Sequence, residues 1–326
     1  MEGFGLSLGK GLKPLFDDSP ARFRRRIAGV DYLHLKGRQS GDLYITRDGW
    51  PVAESLLPVH WFIGQQFCKR GRALAGATGA VYRVPVPHPV RKEYALVVKF
   101  SRFGQDVGIT AVGQGVEADI QYHIDSAEFL SPFQEFGNVM KLRRTLAGAL
   151  RTQIPLAIYS PPTRHLVWEL GRKPHLQWLQ SRELRQSQAE TSEEFRVTYA
   201  WERLYILLYR WMDGFDAEQC YLSGMISQRR MEELTRRTGK MLRNLGWMVL
   251  DHKPRHLILR RSGDGLLDRH GNPVLGLVDY ELLTPYQEPL GSRLNIQHFA
   301  SFSPSISQDK TLDYCLTKRS SSAKKG

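Results

Sequence analysis

The sequence predicts an α+β protein of two lobes: a sheet-rich N-terminal lobe and a compact C-terminal lobe, with an N-terminal extension in front of them. Three observations predict it. Residues 71–100 read as a β-hairpin followed by a third strand, Ala95-Leu96-Val97-Val98-Lys99-Phe100. Residues 226–245 repeat apolar side chains at the spacing of an amphipathic helix. Two short polar runs, Asp251-His252-Lys253-Pro254-Arg255-His256 and Asp279-Tyr280-Glu281, each follow an apolar segment directly, which places charged groups on loops at the ends of strands.

A chain of 326 residues suffices for one two-lobed domain or two ordinary ones. Its 41% hydrophobic and 24% charged residues describe a soluble globular protein. No apolar run reaches the roughly 18–20 residues of a spanning helix, so no transmembrane segment is expected. Met1-Glu2-Gly3-Phe4-Gly5 lacks the basic flank and apolar core of a secretory signal, and the cytoplasm is the expected location. Cys68, Cys220 and Cys315 are odd in number and far apart, which supplies neither a disulfide framework nor a metal-site spacing. Forty-six Lys and Arg against 33 Asp and Glu give a formal charge of +13. Such a field attracts nucleic acid, anionic lipid or nucleotide phosphates through a basic surface, without choosing among them.

The elements follow in order. In residues 1–70, the extension, Arg22-Phe23-Arg24-Arg25-Arg26 is the densest basic cluster and reads as a solvated basic arm. Residues 41–50 read as a short strand closed at Asp48-Gly49, and residues 53–70 as helical spacing interrupted by Pro58. Residues 71–212 form the N-terminal lobe. Its hairpin carries Gly76, Gly79 and Val81, close to the glycine-rich loop G-x-G-x-x-G-x-V, with Leu74 where the first glycine would stand. The alternative phosphate-loop pattern fails because Ala77 replaces its lysine. Lys99 ends the next strand. It needs an acidic partner, for which Glu117 is the first candidate and Glu128 the fallback.

Further on, residues 142–150 look helical and residues 154–159 look like an edge strand before Pro161-Pro162. Residues 182–194 are polar and charged, an exposed helix or an inserted loop. Residues 203–214 read as an apolar strand running into a turn, either a hinge between the lobes or a plain core strand. Residues 213–310 form the C-terminal lobe. Its helix places Met231, Leu234, Thr238, Met241, Leu242 and Leu245 on one side and stops at Gly246. Gly263-Asp264-Gly265 and His270-Gly271-Asn272-Pro273 suggest a hairpin insertion ahead of Asp279. Residues 311–326 are expected to be a disordered tail.

Glycine loop, strand lysine, loop Asp and then a second Asp is an order that suits phosphoryl transfer from ATP. That chemistry rests on positioning and charge neutralisation. Asp251 would orient the acceptor hydroxyl and take its proton, and Lys253 would stabilise the γ-phosphate. Lys99 would contact the α- and β-phosphates. Asp279 would hold Mg²⁺, a hard cation that prefers carboxylate oxygen. His256 joins it through a neutral nitrogen, although imidazole is a poorer Mg²⁺ ligand.

These residues resemble the protein-kinase-like superfamily over residues 71–283. Asp251-His252-Lys253-Pro254-Arg255-His256 is similar to the D-L-K-P-x-N core of the catalytic loop, with His256 in the Asn position and Val249 where H-R-D has its His. Val278-Asp279-Tyr280-Glu281 resembles the metal-binding D-F-G. A His five residues after the Asp also resembles the lipopolysaccharide core and Kdo kinases, a bacterial branch. No A-P-E follows, and the short remainder favours a compact C-terminal lobe. The resemblance implies a two-lobed kinase-like fold, ATP and Mg²⁺ as cofactors, and a protein Ser/Thr or sugar hydroxyl as acceptor. Two alternatives stay open. A nucleotide-binding pseudokinase without efficient turnover is suggested by Leu74, His256 and Glu281, and a basic nucleic-acid-binding protein is suggested by charge alone.

Overall fold

Strands from three separate parts of the chain build the main sheet. The computed structural model describes residues 15–37, 39–74, 80–105, 127–146, 150–173, 200–260 and 274–286. The first strands are β1 (Arg24–Ile27), β2 (Val30–Gly37) and β3 (Gly41–Thr46). A 3-10 helix, Trp50–Leu56, and the short helices α1 (Pro58–Trp61) and α2 (Gln66–Lys69) follow. Next come β4 (Arg72–Ala73), β5 (Val81–Pro85), β6 (Ala95–Phe100) and the helix α3 (Pro132–Thr145). After these lie β7 (Arg151–Thr152), β8 (Pro155–Ser160) and β9 (Ile206–Arg210). The sheet runs β1-β2-β3-β8-β9-β6-β5-β4, and every neighbouring pair is antiparallel.

Both faces of this sheet are covered, and the alternation of side chains assigns each residue to one of two cores. Leu33, Leu35, Leu43 and Ile45 meet Trp50, Leu56, Trp61 and Phe67 on one face. Tyr32, Val97, Ile158, Leu207 and Tyr209 meet Phe133, Phe136 and Val139 of α3 on the other. A strand buried on both faces reads as a continuous apolar run. This corrects the edge strand expected at residues 154–159. β8 lies between β3 and β9 with all six residues buried, because the N-terminal segment supplies β3 as its outer neighbour.

The basic cluster is likewise no free arm. Arg24, Arg25 and Arg26 lie in β1 at the sheet edge with exposed side chains, where charge discourages pairing with another sheet. The helix expected at residues 142–150 starts earlier. Ser131 and Gln134 form a reciprocal capping box and Pro132 opens the first turn, so α3 begins ten residues sooner.

The rest of the chain is smaller in scale. It contains β10 (Phe215–Asp216), α4 (Ala217–Leu222), α5 (Gln228–Asn244) and β11 (Trp247–Val249). Then come β12 (Leu257–Arg260), β13 (Val274–Leu277) and β14 (Leu283–Pro285). One sheet has the order β10-β12-β13-β7 and another pairs β11 with β14. The Ser227 side chain caps α5, which buries Leu234, Thr238 and Leu242. Gly246 follows it at φ +76, the left-handed conformation a glycine stop supplies. β12 and β13 form the expected hairpin; its connecting residues 261–273 lie outside the described residues. So do Gly76, Gly79, Glu117, residues 182–194 and residues 311–326. The architecture is mixed α+β, and among the described residues no helix is long and apolar enough to cross a membrane.

Candidate functional site

Lys99 sits on β6 with its side chain on the same face as Val97, towards α3. The residue is only 6% exposed, and a buried ammonium requires paired charge. Three carboxylates provide it. Asp279 Oδ1 lies 2.8 Å from Lys99 Nζ, Glu135 Oε1 3.1 Å and Glu281 Oε2 3.4 Å. The helix-borne acid is therefore Glu135, in the first turn of α3. Glu128 is exposed, which removes it as the fallback partner, and Glu117 lies outside the described residues. Tyr209 on β9 donates its hydroxyl to Glu135 Oε1 at 2.7 Å, fixing the acid from the sheet side. Val81 faces Lys99 directly across the β5–β6 ladder and is half-buried.

The β12–β13 hairpin delivers the other half of the site. Leu257 pairs with Leu277, and the Val278 amide donates to the His256 carbonyl at 2.9 Å. His256 and Asp279 thus meet just beyond the strand ends, with Nε2 and Oδ2 3.6 Å apart. Asp279 adopts φ +65, a left-handed backbone that costs a non-glycine residue about 1–3 kcal/mol and persists only where its surroundings fix it. Lys99 and His256 hold its carboxylate, and the next residue, Tyr280, is anchored in the core. Its buried hydroxyl donates to the Leu277 carbonyl and accepts from the Gln153 amide at 2.8 Å.

The loop after β11 brings in Asp251. Lys253 Nζ approaches Asp251 Oδ2 at 3.3 Å, and Pro254 opens a 3-10 turn, Pro254–His256, that returns the chain to β12. His252 Nε2 lies 3.1 Å from the Thr235 carbonyl oxygen, tying the loop to α5. One potential ligand atom from each of Asp251, His256 and Asp279 lies within 4.8 Å of the others. His256 Nδ1 is buried and has no hydrogen-bond partner among the described residues.

Electrostatics separates the roles. Burial works against the Lys99 ammonium, but Asp279, Glu135 and Glu281 outweigh it and hold the group protonated well above its ordinary range. Burial also opposes the Asp279 charge, yet Lys99 and His256 keep that carboxyl below the usual carboxylate range. Burial raises Glu135, with Lys99 offsetting part of the effect. Glu281 is pushed up to about 7 by burial, against the pull of Lys99 and with the help of Asp279. Burial and the neighbouring Asp279 raise Asp251, so this carboxylate holds a proton more firmly than an ordinary Asp. Burial pushes His252 down to about 4, leaving a neutral ring at pH 7. The result is a fixed cation at Lys99 and a fixed anion at Asp279, beside three carboxyls, Glu135, Asp251 and Glu281, that hold their protons more firmly than ordinary acids.

Of the residues expected from sequence, Lys99, Asp251, Lys253, His256 and Asp279 share this cluster and Val81 adjoins it. Glu135 and Tyr209 were not anticipated. The available signal for Glu135 was local: Ser131 and Gln134 mark a helix start, and Phe133 and Phe136 flank an acid on its inward side. No protein-family model matches the chain, and no curated protein matches it.

Proposed function

We propose that this chain is an ATP- and Mg²⁺-dependent phosphotransferase of two-lobed, protein-kinase-like architecture, passing the γ-phosphate to a protein Ser/Thr or sugar hydroxyl. The observation that carries the reading is convergence: Lys99 and Asp279, 180 positions apart, share a 2.8 Å hydrogen bond beside His256 and Asp251. The pairing of a strand lysine with a helix-borne acid supports it as well, since kinases need such a pair to place the lysine on the phosphates. The donor set suits a divalent cation. Two carboxylates and an imidazole offer ligand atoms within 4.8 Å of one another, and the carboxylates are what a hard ion prefers. His256 and Asp279 are assigned to hold it, where the ion would supply positive charge for the phosphate oxygens.

The chain's own groups have separate tasks. Lys99 binds phosphate oxygen, and Glu135, held by Tyr209, keeps the ammonium in place. Asp251 orients the acceptor hydroxyl and takes its proton, a role that its raised proton affinity favours. Lys253, 3.3 Å from Asp251, steadies that carboxylate and brings a second cation to the loop. The test is transfer of labelled phosphate from ATP to the protein itself or to added acceptors. Asp251→Asn is expected to lower the rate at least about a hundredfold, the scale of a lost general base, while circular dichroism stays unchanged. Equal incorporation by both proteins would exclude catalysis through Asp251.

A nucleotide-binding scaffold without efficient turnover is the second reading. The observation favouring it is the third carboxylate beside Lys99, that of Glu281. It predicts a thermal shift with nucleotide and no label transfer.

A further inference from the structure

An ammonium has three N–H donors. Lys99 gives one to Asp279 at 2.8 Å and one to Glu135 at 3.1 Å. Among the described residues no further hydrogen-bond acceptor takes the third, which is left for an oxygen of a ligand, and Glu281 Oε2 stands beside the same nitrogen at 3.4 Å. The three acids are not held alike. Glu135 accepts a second hydrogen bond from Tyr209, and Asp279 has His256 at its other oxygen. Glu281 instead has an alternative cation within reach, because Arg102 Nη1 lies 3.9 Å from its Oε1. The Glu281 backbone is fixed, its carbonyl accepting from the Leu130 amide at 3.1 Å, so rotation of the side chain alone exchanges the partners. Arg102 is itself steadied over the Phe129 ring, 4.1 Å from its centroid.

Three carboxylates face two cations here, so with those acids ionised the cluster carries excess negative charge before any ligand arrives. A polyphosphate entering beside Lys99 meets Glu281 as a like charge. We infer that Glu281 is an internal counter-ion standing at the Lys99 donor a phosphate oxygen would take, released by turning onto Arg102. This inference rests on the nucleotide reading above and deepens it: Glu281 sets how tightly the site accepts a nucleoside polyphosphate, and Arg102 is the positioning residue that receives it.

The experiment is calorimetric titration, at pH 8.5 so that the Glu281 carboxyl is ionised, of the magnesium complex of a non-hydrolysable ATP analogue. The proteins are the wild type, Glu281→Gln, Arg102→Ala, the double variant Glu281→Gln/Arg102→Ala, and Lys99→Ala alone and combined with Glu281→Gln. Glu281→Gln is expected to bind about tenfold tighter, the scale of one screened unit charge removed from beside the ligand. Arg102→Ala is expected to weaken binding in the wild-type background and to change nothing in the Glu281→Gln background. Lys99→Ala is expected to remove binding in both. Glu281→Asp keeps the charge but withdraws it by one methylene; it is expected to fall between the wild type and Gln, and it serves if Gln disturbs folding. Lys99-dependent binding that is unchanged or weakened in Glu281→Gln and Glu281→Asp overturns the inference while the nucleotide reading stands. Equal weakening by Arg102→Ala in both backgrounds overturns the release onto Arg102. If no protein binds in a Lys99-dependent way, the nucleotide reading fails and this inference with it.

Discussion

Replacing Lys99 with methionine preserves volume and removes the only charge shared by three acids, so it tests the centre of the site without reference to any ligand. The side chains left behind are 2% exposed at Glu135, 7% at Glu281 and 26% at Asp279. Removing one partner of a buried ion pair costs about 3–5 kcal/mol because the remaining charge is uncompensated. Two relieving contacts persist, the Tyr209 hydroxyl on Glu135 and Arg102 at 3.9 Å from Glu281. An expected loss of about 4 kcal/mol at pH 7.5 allows for them and is a large share of the roughly 5–15 kcal/mol available to a folded domain.

The dependence on pH has a definite sign. In the wild type the depressed Asp279 carboxyl contributes stability above its unfolded value, and that contribution fades as pH falls through its folded one. In the variant the stranded acids have raised values, so their penalty is largest at high pH and disappears as they take up protons. Both effects narrow the gap between the two proteins on acidification. Glu281 is at about 7 beside Lys99 and rises further without it, so the window opens above neutrality, and unfolded carboxyls near 4 place the bottom. Urea unfolding followed by tryptophan fluorescence at pH 7.5, 6 and 4.5 measures the gap. A variant within about 1 kcal/mol of wild type at pH 7.5, or a gap that stays constant down to pH 4.5, would refute the shared-charge account.

Two predictions concern the frame rather than the site. In Gly49→Ala the new methyl would fall on the Leu156 carbonyl oxygen of β8, backbone that cannot turn away. A loss of about 3 kcal/mol is expected, at the top of the overpacking range, read as a lowered urea midpoint; an unchanged midpoint would contradict the packing of this turn against the sheet. In Asp42→Asn the ionised partner of His34, at 2.8 Å, and of Arg203 is lost. Burial opposes the Asp42 charge but those partners prevail, so its folded pKa is depressed and its stabilisation is present above the unfolded value and lost as pH falls. The variant should therefore lose about 1–3 kcal/mol at pH 7 and show a flatter acid limb, and an identical acid-unfolding curve would count against the cluster.

Sequence legibility followed how each element is buried. The helix α5 touches the core along one stripe, so Leu234, Thr238 and Leu242 printed a 3.6-residue period and the glycine stop was readable. The β12–β13 hairpin was bracketed by turn residues and was readable for the same local reason. β8 and β9 are covered on both faces, and their unbroken apolar runs said strand without saying which neighbours. The three arginines of β1 drew attention to charge and away from the alternation in β2 and β3, where Leu33, Leu35, Leu43 and Ile45 already marked one buried face.

Within the site, the same distinction separates a residue's kind from its partner. Lys99, Asp251 and Asp279 were legible because each follows an apolar run, and His256 because it directly precedes one, which exposes a polar group at or near the end of a strand. Their mutual distances were not, because those depend on how the β12–β13 hairpin closes and on where α3 crosses the sheet. Glu135 stands 36 positions after Lys99, across a stretch with no period to measure, so the acid that holds the lysine could not be chosen from several. Glu281 shows the converse. Read as a motif position it is a glycine gone missing, whereas beside Lys99 it is a third carboxylate within 3.4 Å of one ammonium. A departure from pattern acquires chemical meaning only when the charges around it can be counted, and here the count leaves Lys99 a single donor with which to hold any ligand.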